Sequence, residues 1–148
     1  MRVAGVDPGR KKTGMVLLEV NEKDVTCQYA VQAESLNEVL EYLDAWDPDV
    51  IVVEEFRLYP WKSKALGWDP MVPSQIIGAI YTWSYRRTPE KAIVVEQPAS
   101  MRKIGQKHTG ELEKTPMFRG LPHAKDALRH AVWFVITHYP RKSFVVKF

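Results

Sequence analysis

The sequence predicts an α/β fold in which helices flank a mixed sheet of five strands. Three strand-like segments follow one another at the start of the chain, and two later ones lie between helical segments. Strands joined by tight turns pair antiparallel, whereas strands separated by a helix usually pair in parallel. The predicted order β-β-β-α-β-α-β-α therefore combines a three-stranded antiparallel meander with parallel strands.

The five predicted strands are marked by apolar runs or by alternation of apolar and polar side chains. They are residues 2–7, 13–20, 25–33, 50–53 and 92–95. The first strand stops at Pro8-Gly9, a turn signal, so the second returns antiparallel to it. The third alternates as a strand with one buried face does, whereas the last two are apolar throughout and suit strands covered on both faces.

Three helices are predicted from apolar residues at helical spacing, over residues 36–46, 74–87 and 122–139. Ser35 and Glu38 form a capping-box pattern at the start of the first helix, and Pro122 suits the first turn of the last. Residues 57–73 and 97–120 show no clear period. The first of these segments is therefore predicted to be a loop and the second to be irregular and mobile.

Length and composition favour one domain over residues 1–148, with an ordinary globular balance of 45% hydrophobic and 26% charged residues. No apolar run reaches the roughly 18 residues that a membrane span needs. The first seven residues also lack the pattern of a signal peptide. The single cysteine, Cys27, lies in a predicted strand and is expected to be a packed thiol. These features together predict a cytoplasmic protein with no membrane partner.

The formal net charge is +3, and its distribution says more than its size. Basic residues cluster at Arg10-Lys11-Lys12, at Arg102, Lys103 and Lys107, and around Lys125 and Arg129. A basic face is what binding to a phosphate backbone requires. A solvated surface explains the same charges equally well.

Three predicted elements each carry a carboxylate at one end. Asp7 closes the first strand, Glu54 closes the fourth, and Asp126 lies near the start of the last helix, on the same side as His123 and His130. If the first and fourth strands are neighbours, Asp7 and Glu54 lie side by side. Like charges so placed are costly unless a cation compensates them or one takes up a proton. The set therefore predicts a site for a divalent metal ion.

Each of these residues alone also has a structural explanation. Asp7 precedes Pro-Gly as turn residues do, Glu54 can simply end a strand, and Asp126 suits a helix dipole. His130 has apolar neighbours in the sequence and is interpreted as a packing histidine rather than a metal ligand. The metal hypothesis depends on the whole set.

The segment after Glu54 mixes aromatic and cationic side chains. Its aromatic members are Phe56, Tyr59, Trp61 and Trp68, and its cationic members are Arg57, Lys62 and Lys64. Interleaved rings and cations suit unstacked bases at a DNA branch point, so Arg57, Tyr59, Trp61 and Lys62 are predicted to bind DNA. Some of the rings are expected to pack beneath the loop instead.

Three short segments occur in a fixed order along the chain. They are Gly5-Val6-Asp7-Pro8-Gly9 followed by Thr13-Gly14, then Pro48-Asp49-Val50-Ile51-Val52-Val53-Glu54, then His123-Ala124-Lys125-Asp126-Ala127-Leu128. This trio resembles the motifs of the RuvC-type Holliday junction resolvases, a family of the RNase H-like superfamily. Gly78 and Lys103 also lie where that family has a helix glycine and a basic DNA contact. The chain is shorter than typical bacterial members, and residues 97–120 match poorly.

The resemblance implies a homodimeric RNase H-like nuclease that cuts opposed strands of a four-way DNA junction with two Mg²⁺ or Mn²⁺ ions. It implies that Asp7 bridges both ions, that Glu54 and Asp126 each bind one, and that His123 is a fourth ligand or orients the water. A histidine there favours Mn²⁺. Lys103 is implied to contact the DNA backbone.

Two further predictions accompany this resemblance. Arg102 and Lys107 lie close to Lys103 in the sequence and are predicted to contact DNA with it. The second helix carries apolar residues around more of its circumference than one buried stripe needs, which predicts the dimer interface. These residues are Ile76, Ile80, Tyr81, Trp83 and Tyr85.

Three other functions remain open from the sequence. A nuclease of the same fold that prefers flaps or replication forks would use the same residues, and so would a nuclease that processes ribosomal RNA. A catalytically silent DNA-binding protein is the third. The intact set of Asp7, Glu54 and Asp126 argues against this last possibility.

Overall fold

The computed structural model describes residues 1–57, 70–87, 92–139 and 145–147. Within these ranges one sheet contains six strands: β1 (Arg2–Asp7), β2 (Thr13–Val20), β3 (Asp24–Ala33), β4 (Val50–Glu54), β5 (Ile93–Gln97) and β6 (Val145–Lys147). Their order is β5-β4-β1-β2-β3-β6. Pairs β1–β2 and β2–β3 are antiparallel, and β1–β4, β4–β5 and β3–β6 are parallel. The predicted mixed five-stranded sheet is confirmed, and the short β6 adds one edge strand beside β3.

Four α-helices lie in the described ranges: α1 (Leu36–Trp46), α2 (Val72–Arg86), α3 (Met101–Glu113) and α4 (Pro122–His138). The start of α1 follows the predicted capping pattern, because Ser35 Oγ accepts a hydrogen bond of 3.1 Å from the Glu38 N–H. The Glu38 carboxylate accepts one of 2.9 Å from the Glu34 N–H. At the other end, Asp47 closes the helix in the left-handed region, with φ 49°. None of the described helices is long and apolar enough to span a membrane.

The helix α3 contradicts the prediction that residues 97–120 are irregular. Its buried residues are Gly105, Thr109, Leu112 and Glu113, so its buried face carries a single large apolar side chain, Leu112. This face packs against α4, and the close approach at Gly105 leaves no room for a Cβ beside the Arg129 carbonyl oxygen. A helix stabilised by such contacts gives no apolar stripe for sequence reasoning to find. A short 3₁₀ turn, Pro116–Phe118, follows it.

The sheet is covered on both faces, and β1 contributes to both cores. Val3 packs on the side of α4, whereas Ala4 and Val6 pack on the side of α1 and α2. This alternation follows from the period of two along a strand. The predicted packed thiol of Cys27 is confirmed, since it is buried on the α4 side and burial raises its pKa to about 12.

Two glycines let α4 approach the sheet closely. A Cβ at Gly5 would lie 2.3 Å from the Ala127 carbonyl oxygen, and one at Gly14 would lie 2.0 Å from the carbonyl carbon of His123. Both distances are far below van der Waals contact. The absence of side chains at Gly5 and Gly14 therefore places the first turns of α4 directly beside the end of β1, where Asp7 lies.

Candidate active site

Asp7 and Glu54 lie at one edge of the sheet because β1 and β4 are parallel neighbours. The register pairs Val6 with Val53, the residues immediately before the two acids. Asp7 is 6% exposed, and Glu54 is partly buried. Burial, and next the negative charge of Glu54, raise the pKa of Asp7 from 3.8 to about 6; Asp126 adds to the rise and a hydrogen bond from His123 opposes it. Burial and the neighbouring carboxylates therefore disfavour a negative charge on Asp7.

The first turn of α4 brings His123 to Asp7. His123 Nδ1 lies 3.1 Å from Asp7 Oδ2, although 116 residues separate them in the sequence. The backbone N–H of His123 donates to Gln32 Oε1 at 3.0 Å, which ties this turn to β3. The His123 side chain is 43% exposed, so it lies on the open side of the site.

Asp126 lies one turn further along α4 and is held by two arginines. Arg129 NH1 lies 2.8 Å from Oδ1, and Arg102 NH1 lies 3.2 Å from Oδ2. Arg102 also reaches the end of β4, since its Nε lies 3.4 Å from Glu54 Oε2. One guanidinium therefore joins two of the three carboxylates that the sequence predicts as metal ligands.

A buried ion pair between Glu113 of α3 and Arg129 of α4 supports this arrangement. Glu113 accepts hydrogen bonds from Arg129 Nε at 3.1 Å and from Arg129 NH2 at 2.6 Å. Thr109 donates to the same carboxylate. The side chain of Glu113 is 8% exposed, so this two-point contact is shielded from water. The sequence placed Arg129 among basic residues suited to a phosphate backbone, whereas the structure pairs it with Glu113 and Asp126. Its pairing with Glu113 was missed because no helix was predicted over residues 101–113.

His130 also belongs to the site, although the sequence favoured a packing role. The side chain is fully buried, with Nε2 2.9 Å from Glu54 Oε2 and Nδ1 2.9 Å from Gln97 Oε1. Gln97 ends β5 and pairs with Glu54 across the sheet. The spacing of His130 four residues after Asp126 was the available signal. No signal in the sequence identified Gln97.

The described residues contain no three His, Cys, Asp or Glu side chains that converge closely enough to hold a metal as arranged. The donor chemistry nonetheless suits a hard divalent cation, because Asp7, Glu54 and Asp126 supply carboxylate oxygens at one edge of the sheet. The raised pKa of Asp7 shows that burial and the neighbouring acids disfavour its negative charge, which added positive charge would offset. Arg102 supplies part of that charge, so a metal ion would compete with its guanidinium for Glu54 and Asp126.

The predicted DNA-contact residues lie in several places. Lys103 and Lys107 are exposed and four residues apart on α3, hence on one side of the helix. Arg102 faces the acids instead. Arg57 is exposed and pairs with Glu55. Tyr59, Trp61 and Lys62 lie outside the described residues, as do Lys64 and Trp68.

A groove beside Glu54 opens the site to large ligands. Its volume is about 400 Å³, and it is lined by Pro8, Glu54, Glu55, Phe56, Arg57, Pro73, Pro98, Ala99 and Ser100. The groove joins the carboxylate end of β4 to the turn before α3. An extended polymer lying there would contact Glu54 and the start of α3 together.

Comparison with known proteins gives a match at the level of fold. No family model matches the sequence, and no curated protein matches it. Among solved structures, Thermus thermophilus RuvC in complex with a Holliday junction substrate is 19% identical, with a TM-score of 0.67 over 94% of this chain and 97% of that one. The chain therefore has the RNase H-like fold of the RuvC-type resolvases.

Two resolvases from other sources share this fold. The fowlpox virus resolvase, in complex with Holliday junction DNA, is 14% identical, with a TM-score of 0.65 over 94% of this chain and 99% of that one. The yeast mitochondrial Holliday junction resolvase is 12% identical, with a TM-score of 0.57 over 93% of this chain and 82% of that one. The predicted fold is confirmed by all three structures.

Proposed function

We propose that this protein is a metal-dependent endonuclease that cleaves four-way DNA junctions. The observation that carries the proposal is the meeting of Asp7, Glu54, His123 and Asp126 at one end of the sheet, with Asp7 buried and its pKa raised to about 6. Carboxylates gathered in this way, beside an open groove, are a common arrangement for phosphodiester hydrolysis. The shared fold with resolvases bound to junction DNA supports this choice of substrate.

The residues divide the work of such a site. Asp7, Glu54 and Asp126 would hold two divalent ions, Mg²⁺ or Mn²⁺. When bound, the ions would activate the attacking water and neutralise charge on the scissile phosphate. His123 is half-exposed and hydrogen-bonded to Asp7, so it can orient the water or add a nitrogen ligand. The buried Glu113 holds Arg129, which in turn holds Asp126.

The basic residues of α3 would bind the DNA backbone beside the site. Lys103 and Lys107 are exposed, and Lys103 directly follows Arg102, which contacts the acids. A phosphate that pairs with these lysines would therefore lie close to the proposed metal ions. The groove lined by Phe56 and Arg57 would receive the strand next to the cleavage point.

A dimer would explain paired cuts across a junction, because two sites at a fixed spacing are needed. Part of the predicted interface on α2 is wrong, since Ile76 and Ile80 are 3% and 0% exposed and pack in the core. Tyr81 and Tyr85 are 43% and 71% exposed on the same helix. We assign the interface to the face of α2 that carries these two tyrosines.

One experiment tests the function directly. The protein is incubated in Mg²⁺ and in Mn²⁺ with labelled four-way junction, flap, fork and duplex DNA and with structured RNA, beside the Asp7→Asn variant as control. Symmetric cuts in the junction by the unaltered protein alone support the proposal. Cleavage confined to flaps or forks, or to RNA, would replace the substrate while keeping the chemistry. No cleavage of any substrate in either metal would refute the nuclease proposal.

A further inference from the structure

His130 is a fully buried polar side chain beside the site. It has no exposed surface, yet both ring nitrogens have partners: Nε2 lies 2.9 Å from Glu54 Oε2, and Nδ1 lies 2.9 Å from Gln97 Oε1. The neighbouring buried residues of α4 are apolar, including Ala127 and Ala131. An apolar side chain would fill this position without the cost of removing an imidazole from water. Packing alone therefore does not account for a histidine here.

The two partners of His130 lie at neighbouring strand ends. Glu54 and Gln97 are the last residues of β4 and β5 and are paired in the sheet register. His130 approaches them from α4, four residues after Asp126. The imidazole therefore connects one helix to two strands at the level of the carboxylates.

His130 and Arg102 both contact the same oxygen of Glu54. His130 Nε2 lies 2.9 Å from Oε2, and Arg102 Nε lies 3.4 Å from it. Arg102 is 39% exposed, so its guanidinium can turn toward solvent or a phosphate. His130 is fully buried. If the Arg102 guanidinium turned toward solvent, His130 would still contact the Glu54 carboxylate.

We propose that His130, oriented by Gln97, is a positioning residue that holds the Glu54 carboxylate in the orientation needed to bind a metal ion. The inference rests on the metal site of the proposed function and extends it to two residues. Nε2–H donates to Glu54, which leaves Nδ1 of the neutral ring as an acceptor. With its amide turned so that the NH2 group faces the ring, Gln97 donates to Nδ1 and fixes the plane of the imidazole. Because His130 and Asp126 share α4, the same contact sets the distance between the ligand on β4 and the ligand on the helix.

The test measures binding of Mn²⁺ alone to the whole protein, without DNA, by titration followed with electron paramagnetic resonance. The variants are His130→Met, which keeps volume but removes the donor, and His130→Gln, which keeps an amide N–H near the position of Nε2. Gln97→Met removes the support of the ring. Val135→Ala is the matched control, since Val135 is fully buried on the same helix and packs in the α4-side core away from Glu54.

A positioning role predicts that His130→Met weakens Mn²⁺ binding about 10- to 100-fold, as loss of a partner behind a metal ligand generally does. His130→Gln should recover most of this loss, and Gln97→Met should lie between the two. Val135→Ala should lower the melting temperature and leave Mn²⁺ affinity unchanged. Such a pattern separates orientation of Glu54 from general stability.

Several outcomes would overturn the inference. A folded His130→Met variant that binds Mn²⁺ as tightly as the unaltered protein removes it, and so does an equal loss in Val135→Ala. If His130→Met does not fold, unchanged affinity in Gln97→Met removes it instead. If the unaltered protein itself binds no Mn²⁺, the metal site of the proposed function fails and this inference fails with it. Normal binding by the unaltered protein with no effect of the substitutions refutes the role of His130 alone.

Discussion

Arg102 NH1 and Asp126 Oδ2 lie 3.2 Å apart, at the start of α3 and near the start of α4. The same guanidinium lies 3.4 Å from Glu54. Burial lowers the pKa of Arg102, but the charges of Glu54 and Asp126 outweigh this effect and raise it. The protein thus places its own cation between two acids at the position where the sequence predicts a metal ion.

Replacing Arg102 should strengthen metal binding when DNA is absent. In Arg102→Ala the guanidinium no longer competes for Glu54 and Asp126, so we expect Mn²⁺ affinity to rise several-fold. In the presence of a chelator, the free energy of unfolding should fall by about 1 kcal/mol, a modest value because the ion pair is partly exposed. Calorimetric titration with Mn²⁺ and urea denaturation measure the two effects. Lys103→Ala, an exposed neighbour, is the control, and weaker Mn²⁺ binding in Arg102→Ala would contradict the idea of competition.

Asp7 should make the metal-free protein less stable as pH rises. Its folded pKa of about 6 exceeds the ordinary value of 3.8, so the folded state takes up a proton between these values. The resulting stabilisation is complete below about pH 4 and is lost as pH rises through 6. At ~1.4 kcal/mol per pKa unit, the free energy of unfolding should fall by about 3 kcal/mol across this range.

The Asp7→Asn variant tests this dependence and the chemistry together. In a chelator, its free energy of unfolding should exceed that of the unaltered protein increasingly from pH 4 to pH 7, up to that same value of about 3 kcal/mol. Cleavage should be abolished, while binding to branched DNA should be kept or improved because one negative charge beside the phosphate is gone. A pH-independent difference in stability would show that Asp7 is ionised throughout. Residual cleavage above roughly a tenth of the normal rate would remove Asp7 as a bridging ligand.

The two exposed lysines of α3 should contribute to DNA affinity through salt-dependent phosphate contacts. Lys103→Ala should weaken binding to all branched substrates about equally and should reduce the slope of log K against log salt by about 0.7–0.9. Adding Lys107→Ala should reduce it again by a similar amount. Fluorescence anisotropy at several salt concentrations gives the slope. An unchanged slope in the double variant would mean that this face of α3 is only solvated surface.

The close contact between β2 and α4 should make Gly14 intolerant of any side chain. In Gly14→Ala the new methyl group would overlap the His123 backbone, so α4 must shift away from Asp7. We expect a loss of about 3 kcal/mol or more in stability and a severe loss of cleavage. Gly110→Ala on α3 is the control, because a Cβ there meets no atom within 4 Å. Normal cleavage by Gly14→Ala would show that the site tolerates movement of the helix.

The exposed tyrosines of α2 should be needed for assembly and not for folding. Tyr85→Glu places a charge on a side chain that is 71% exposed, so the fold should survive while the proposed dimer dissociates. Sedimentation velocity, with and without a junction, measures the oligomeric state. The unaltered protein sedimenting as a monomer in both conditions would contradict the dimer and favour a flap substrate.

The sequence alone predicted five strands of the sheet and named Asp7, Glu54 and Asp126 as one set of carboxylates. Apolar runs and turn residues give the strands directly, because burial of both faces and the Pro8-Gly9 turn are local properties of the chain. The sequence placed Asp7 and Glu54 together only if the first and fourth strands are neighbours, and the parallel pairing of β1 with β4 meets that condition. The helix over Met101–Glu113 could not be predicted, since its buried face carries a single large apolar side chain, Leu112.

Tertiary structure alone decided which groups surround those acids. Arg102 and His130 reach Glu54 from two separate helices, and Gln97 of β5 contacts His130, at distances that depend on how closely α3 and α4 pack on the sheet. That packing depends on Gly14 and Gly105, where backbone atoms of α4 occupy the space that a side chain would need. Hydrogen-bond partners separated by 76 residues, as Glu54 and His130 are, leave no periodic pattern in a sequence. From the sequence alone, His130 among apolar neighbours is therefore interpreted as a packing residue. Only the fold shows that the Glu54 carboxylate lies beside it.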